Sequence, residues 1–174
     1  MLIRTVSAIP PKVNEAFKAY KYVPYTAMSH LARLRAARGE EDYMVNAQGG
    51  LTAKGLDRRD ENQIEWPDWQ AAAHAAEDCI REHHGEVRAK AFASHHRTVM
   101  DLTRLHGWKV AVEYDIQQRE AAAFNPAHDL TSLDLQAFTL IANRWPAKRA
   151  GSPEESDSPM RKKRQSPCFR CGLG

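Results

Sequence analysis

From Trp66 to Phe124 the chain has a single proline, Pro67, at its start, and only Gly85 and Gly107 interrupt it. Apolar residues recur through it at the 3.6-residue period of a helix with one buried face. Trp69, Ala72, Ala73, Ala76, Cys79 and Ile80 form one stripe. Val87, Ala91, Phe92, His95, Val99, Leu102 and Leu105 form a second. A third runs through Trp108, Val110, Ala111, Tyr114, Ile116, Ala121 and Phe124. The spacing predicts helices near 68–83, 87–105 and 108–124, with Trp69, Ile80, Phe92, Leu102, Trp108, Tyr114 and Phe124 in a shared core. The alanines let neighbouring helices approach closely. No alternation of period two lasts for a strand's length, so the fold class is all-α, a small helical bundle.

The flanks read as shorter pieces. After Pro10-Pro11, Val13, Phe17 and Tyr20 lie on one face of a helix within 12–23 that Pro24 stops. Met28, Leu31 and Leu34 mark a second short helix within 26–38, with Arg33, Arg35 and Arg38 on its other faces and Gly39 at its end. Residues 40–63 hold Gly49-Gly50, Gly55 and unpatterned charge, the marks of a flexible linker. The helical core is expected over 64–146. Its last helix would be capped by Ser132, carry Leu133, Leu135, Phe138, Ile141, Ala142 and Trp145, and end at Pro146. From 147 to 174 serine, proline and charge replace large apolar side chains, so the tail is expected to be disordered.

At 174 residues the chain has room for one ordinary domain and a tail. Its 43% apolar content can build a core, and its net charge of +3 is too small to name a partner by itself. No apolar run reaches the roughly 20 residues needed to cross a bilayer. The start, "MLIRTVSAIPPK", lacks the apolar stretch and cleavage site of a secretory signal. An intracellular protein, cytoplasmic or nuclear, is expected. Of three cysteines, Cys79 sits in a helical stripe as a small apolar residue, and an odd count argues against a disulfide framework.

Eight histidines invite a metal reading, above all His83-His84 and His95-His96. Neighbours on a helix point about 100° apart, so neither pair can close on one ion from one face. Asp115, His128, Asp129 and Ser132 could be written as a hydrolytic group, but no nucleophile elbow or oxyanion glycine cluster accompanies them. Glu113, Tyr114, Asp115 and Arg119 read as surface and helix-end pairs, with Asp115 and Arg119 at ion-pair spacing. Catalysis is not expected.

Two features stand out in the tail. Arg161, Lys162, Lys163 and Arg164 form an unbroken basic run that can neutralise phosphates or serve as a nuclear import signal. Then "PCFRCGLG" sets Cys168 and Cys171 two residues apart, with Phe169 and Arg170 between them and Gly172 after. Paired thiolates followed by a glycine turn are the opening half of a zinc knuckle. Zinc needs four ligands, so the site is incomplete in this chain.

The order of these parts resembles the Gag-like (capsid–nucleocapsid) proteins of fungal and animal retroelements. "IPPKVNEAFKAYKYVPYTAMSHL" is similar to their opening, "WPDWQAAAHAAEDCI" to their Trp-containing first core helix, and "GWKVAVEYDIQQREAAA" to the stretch holding Trp108, Tyr114-Asp115 and Arg119. "LDLQAF" resembles the short helix before a CCHC-type zinc knuckle, here truncated. The resemblance implies a non-enzymatic structural protein of a mobile element whose core self-associates as a homo-oligomer. Its tail would bind single-stranded RNA or DNA weakly through Arg161, Lys162, Lys163, Arg164, Phe169 and Arg170, with Cys168 and Cys171 as metal ligands. The alternative is a helical DNA-binding module similar to a recombinase N-terminal domain. Acids and bases are nearly balanced over Trp66–Phe124, which does not suit a duplex-gripping face.

Overall fold

The computed structural model describes residues 9–39, 43–45, 51–53 and 61–145. Helix α1 spans Pro11–Lys18, and a 3-10 turn at Tyr25–Met28 leads into α2, His30–Ala37. Two three-residue strands, β1 (Tyr43–Val45) and β2 (Leu51–Ala53), pair antiparallel with Met44 opposite Thr52. A second 3-10 turn, Glu61–Gln63, precedes α3 (Trp66–His84), α4 (Glu86–His106), α5 (Trp108–Phe124) and α6 (Leu135–Arg144). The all-α reading holds. The strand pair is too short for any alternation of side chains to show in the sequence.

Single glycines make the two corners between the long helices. Gly85 lies at φ 85°, ψ 172° and Gly107 at φ 86°, ψ 161°. That conformation is essentially reserved for glycine. One such residue ends one helix and starts the next, so α4 packs against both α3 and α5. Pro67 occupies the first turn of α3, where its missing N–H costs nothing.

The core is continuous from the N-terminal segment into the long helices. Val13, Phe17, Tyr25 and Met28 are buried in the same cluster as Trp69, Ile80, Phe92 and Tyr114. Two histidines pin α1 to the end of α3: His83 Nε2 meets Asn14 Oδ1 at 2.8 Å, and His84 Nε2 meets the Phe17 carbonyl at 2.6 Å. The linker expected over 40–63 therefore ends early, because Glu61 is fully buried and Ile64 nearly so.

Several apolar positions depart from expectation. Phe124 is 93% exposed and Val87 is 87% exposed. The buried stripe of α5 passes through Ala111, Asp115, Arg119 and Ala122. Two residues past Ala122 lies about 200° around the helix, which turns Phe124 to solvent. The same offset from buried Ala89 turns Val87 outward. Leu105 lies beyond the last buried residue of α4, Leu102, and is exposed. No residue of α2 is buried, so Leu31 and Leu34 face solvent. Ser29 interrupts the helix expected over 26–38 and caps α2, its Oγ accepting from the Ala32 amide. Asp134, not Ser132, caps α6 by accepting from the Ala137 amide at 2.9 Å.

Candidate functional site

Where the α5 stripe should be apolar, it carries Asp115 and Arg119. Both are buried, at 0% and 4% exposure. The sequence reading placed them on the surface, and the structure corrects it. Their i, i+4 spacing does make the ion pair, with Arg119 Nε donating to Asp115 Oδ2 at 2.9 Å. Their position in line with Ala111 and Ala122 was the available signal of burial. A lone buried carboxylate would cost several kcal/mol, so its partners matter.

Those partners come from four elements. Trp69 Nε1 on α3 donates to Asp115 Oδ2 at 2.8 Å, and His95 Nε2 on α4 donates to Oδ1 at 2.9 Å. Arg119 sends Nη1 to the Val23 carbonyl at 2.9 Å and Nη2 to Glu61 Oε1 at 2.6 Å. Its guanidinium lies 3.7 Å from the Tyr25 ring centroid. Glu61 in turn accepts the Tyr25 amide at 2.8 Å and the Tyr22 hydroxyl. Burial works against ionising Asp115, but the Arg119 charge and the His95 hydrogen bond outweigh it and hold the carboxyl well below its usual range. Burial likewise opposes charge on Arg119, and Asp115 and Glu61 reverse the effect.

A second line runs beside the first. His96 Nδ1 donates to Glu77 Oε1 at 2.7 Å, which leaves Nε2 to accept from the Tyr25 hydroxyl at 2.7 Å. Carboxylate, imidazole and phenol thus stand in a row, an order familiar from general-base relays. Here the phenol is enclosed: Tyr25 is 1% exposed. Burial drives its pKa well above the ordinary value and lowers that of His96. The row holds the 3-10 turn at Tyr25–Met28 against α3 and α4. The adjacent rings of His95 and His96 serve different helices, as their spacing requires.

The other groupings separate. His128 Nε2 meets Gln118 Oε1 at 2.8 Å, whereas Asp129 accepts from the Thr131 amide and hydroxyl, so Asp115, His128, Asp129 and Ser132 do not converge. Among the described residues no group of three or more His, Cys, Asp or Glu could hold a metal ion. Burial pushes the Cys79 thiol up to about 11, which makes it a poor nucleophile. No described helix is long and apolar enough to cross a membrane. The tail residues Arg161, Lys162, Lys163, Arg164, Phe169 and Arg170, and the thiols of Cys168 and Cys171, lie outside the described residues.

Sequence reasoning missed Glu61, Tyr22, Tyr25, His95 and His96 as one assembly. No short spacing links Glu61, the tyrosines and the histidines to one another; Glu61 and Arg119 are 58 residues apart. Compared with known proteins, the chain matches no family model, no curated protein and no solved structure.

Proposed function

We propose that this is a non-catalytic, Gag-like structural protein whose helical core self-associates and whose tail engages single-stranded RNA or DNA. The observation that carries the structural half is the closed network around Asp115. Its carboxylate, the Arg119 guanidinium and both oxygens of Glu61 are engaged with one another and with Trp69, Tyr22, Tyr25 and His95, so they lock elements together. Leu135, Leu140 and Phe124 are more than half exposed, the kind of side chain a second copy would cover. The nucleic-acid half rests on the tail, where Arg161, Lys162, Lys163, Arg164 and Arg170 supply charge and Phe169 a ring. Two thiolates, Cys168 and Cys171, fill half of a zinc site.

The test is a salt titration of single-stranded RNA binding for the full chain, a chain ending at Pro146 and Phe169→Ala, with light scattering to read the oligomer. Binding should fall steeply with salt as counterions are released. Phe169→Ala should remove a salt-tolerant part worth about 1–3 kcal/mol. Equal binding by the chain ending at Pro146 would move the activity into the helices and favour the DNA-binding module. A monomer at every concentration would reject self-association.

A further inference from the structure

Gly107 is the whole connection between α4 and α5. On the α4 side the end is well made, with Arg104 and His106 in the last turn, cations that suit it. On the α5 side the start is poorly made. No side chain caps α5, its first turn holds no acid, and Lys109 sets a positive charge beside the positive end of the helix. Were Gly107 to take helical angles, 86–124 would run on as one helix of about 58 Å, and amides at the start of α5 would meet carbonyls at the end of α4. The corner at Gly85 is tied differently: Arg81 Nε on α3 donates to Glu86 Oε2 on α4 at 2.9 Å. Among the described residues no side-chain hydrogen bond or ion pair spans Gly107 in that way.

Each side of Gly107 is a unit held by its own bonds. Beyond it, α5 and α6 form a hairpin. The Tyr114 hydroxyl accepts from the Asp134 amide at 2.9 Å, His128 Nε2 meets Gln118 Oε1 at 2.8 Å, and Trp145 Nε1 donates to Glu113 Oε2 at 2.7 Å. Before it, His83 and His84 hold α1 to α3, and His96 joins Tyr25 to Glu77. The polar bonds between the two units centre on α5: Asp115 to Trp69 and His95, and Arg119 to Glu61 and the Val23 carbonyl. An apolar arm could settle on many surfaces. This one carries a buried carboxylate and a buried guanidinium, and leaving either unmatched is costly. The face that satisfies both is its own, on this copy or on a second.

From the uncapped corner at Gly107, the self-held α5–α6 hairpin and the charge-matched face that receives it, we infer that two copies of this chain associate by exchanging α5–α6 across Gly107. Gly107 turns helical, α4 and α5 run straight on, and each hairpin docks on the other copy with Asp115 against the Trp69 and His95 found there. The docked face is the same in both forms, so the hinge and the concentration set the balance between them. The inference rests on the self-association proposed above and gives it a geometry.

Light scattering of the full chain over a concentration series reads the dimer. Labelled and unlabelled chains, mixed as dilute monomers and then concentrated, show by isotope-filtered NOEs which copy supplies α5. The contact to follow is His95 with Tyr114, whose ring centres lie 6.0 Å apart, and in an exchanged dimer it is intermolecular. Gly107→Ala should lower the midpoint concentration for dimers at least about tenfold, because alanine is strained at the present angles and favours a helix over glycine. A Gly-Ser insertion after Gly107 lengthens the corner and interrupts the straight helix, so it should raise the midpoint at least about tenfold. Should Gly107→Ala not fold, the insertion decides. A midpoint that the insertion leaves unmoved would overturn the exchange. A dimer whose His95–Tyr114 contact stays within one chain would overturn it too and leave self-association standing, whereas a chain monomeric at every concentration would overturn both.

Discussion

At the scale of single residues, Asp115 is the position where chemistry and stability meet. Removing one partner of a buried ion pair leaves the other charged and alone, which typically costs about 3–5 kcal/mol. Asp115→Ala should lose that much in urea melts, and a loss under about 1 kcal/mol would show that Arg119 finds other partners. The network also sets a direction for pH. Burial lowers the His96 pKa, so the unfolded chain takes up a proton that the folded one resists. Stability is then full above the unfolded value of about 6.5 and declines as pH falls below it. Asp115 and Glu77 are depressed in the fold, so their contributions persist to lower pH and are lost below about 4. Unfolding midpoints from pH 8 to pH 3 should fall in two stages, and His96→Gln should remove the first. The sequence alone made the Asp115–Arg119 pair legible but misplaced it. Ion-pair spacing says nothing of what covers a helix, and the cover comes from Tyr25 and Glu61, far away along the chain.

At the scale of elements, the long helices and their corners were legible because glycines interrupt an otherwise unbroken apolar period. Gly85 and Gly107 hold a conformation in which an added side chain is strained, although a Cβ at either would meet nothing within 4 Å. The cost is thus conformational alone. Gly85→Ala and Gly107→Ala should each destabilise by about 1–3 kcal/mol in thermal melts. A neutral effect would mean that the corner re-forms with different dihedrals. Phe124 and Val87 were misread for the opposite reason. Periodicity over a whole helix is robust, but near its ends only the neighbouring element decides whether a residue is covered. Helical spacing puts Tyr20 on a continuing stripe, and it is instead the left-handed stop of α1.

At the scale of the whole molecule, residues 9–39 belong to the bundle. Met28 and Val13 are fully buried, and Tyr25 alone touches Glu61, His96 and Arg119. A division between an N-terminal piece and a core at 64 therefore cuts through one hydrophobic cluster. If a protease site is placed at Gly55 and cleaved, the two pieces should co-elute on a sizing column under native conditions and separate only in denaturant. Separation in native buffer would mean that the N-terminal layer adds little to the core.

The cluster at the start of α3 has an optical consequence. Trp66 stacks on Trp69 at 5.3 Å and 17°, and Trp108 meets both edge-on while donating to the Ile64 carbonyl at 2.8 Å. Three of the four tryptophans are thus electronically coupled chromophores, while Trp145 stands apart beneath Lys109. Coupled indoles give a paired positive and negative circular-dichroism band that vanishes once their separation grows. The native chain carries its own light-borne gauge of whether the first and third long helices are in register, and Trp108→Phe would change the shape of that signal while leaving the Trp66–Trp69 stack in place.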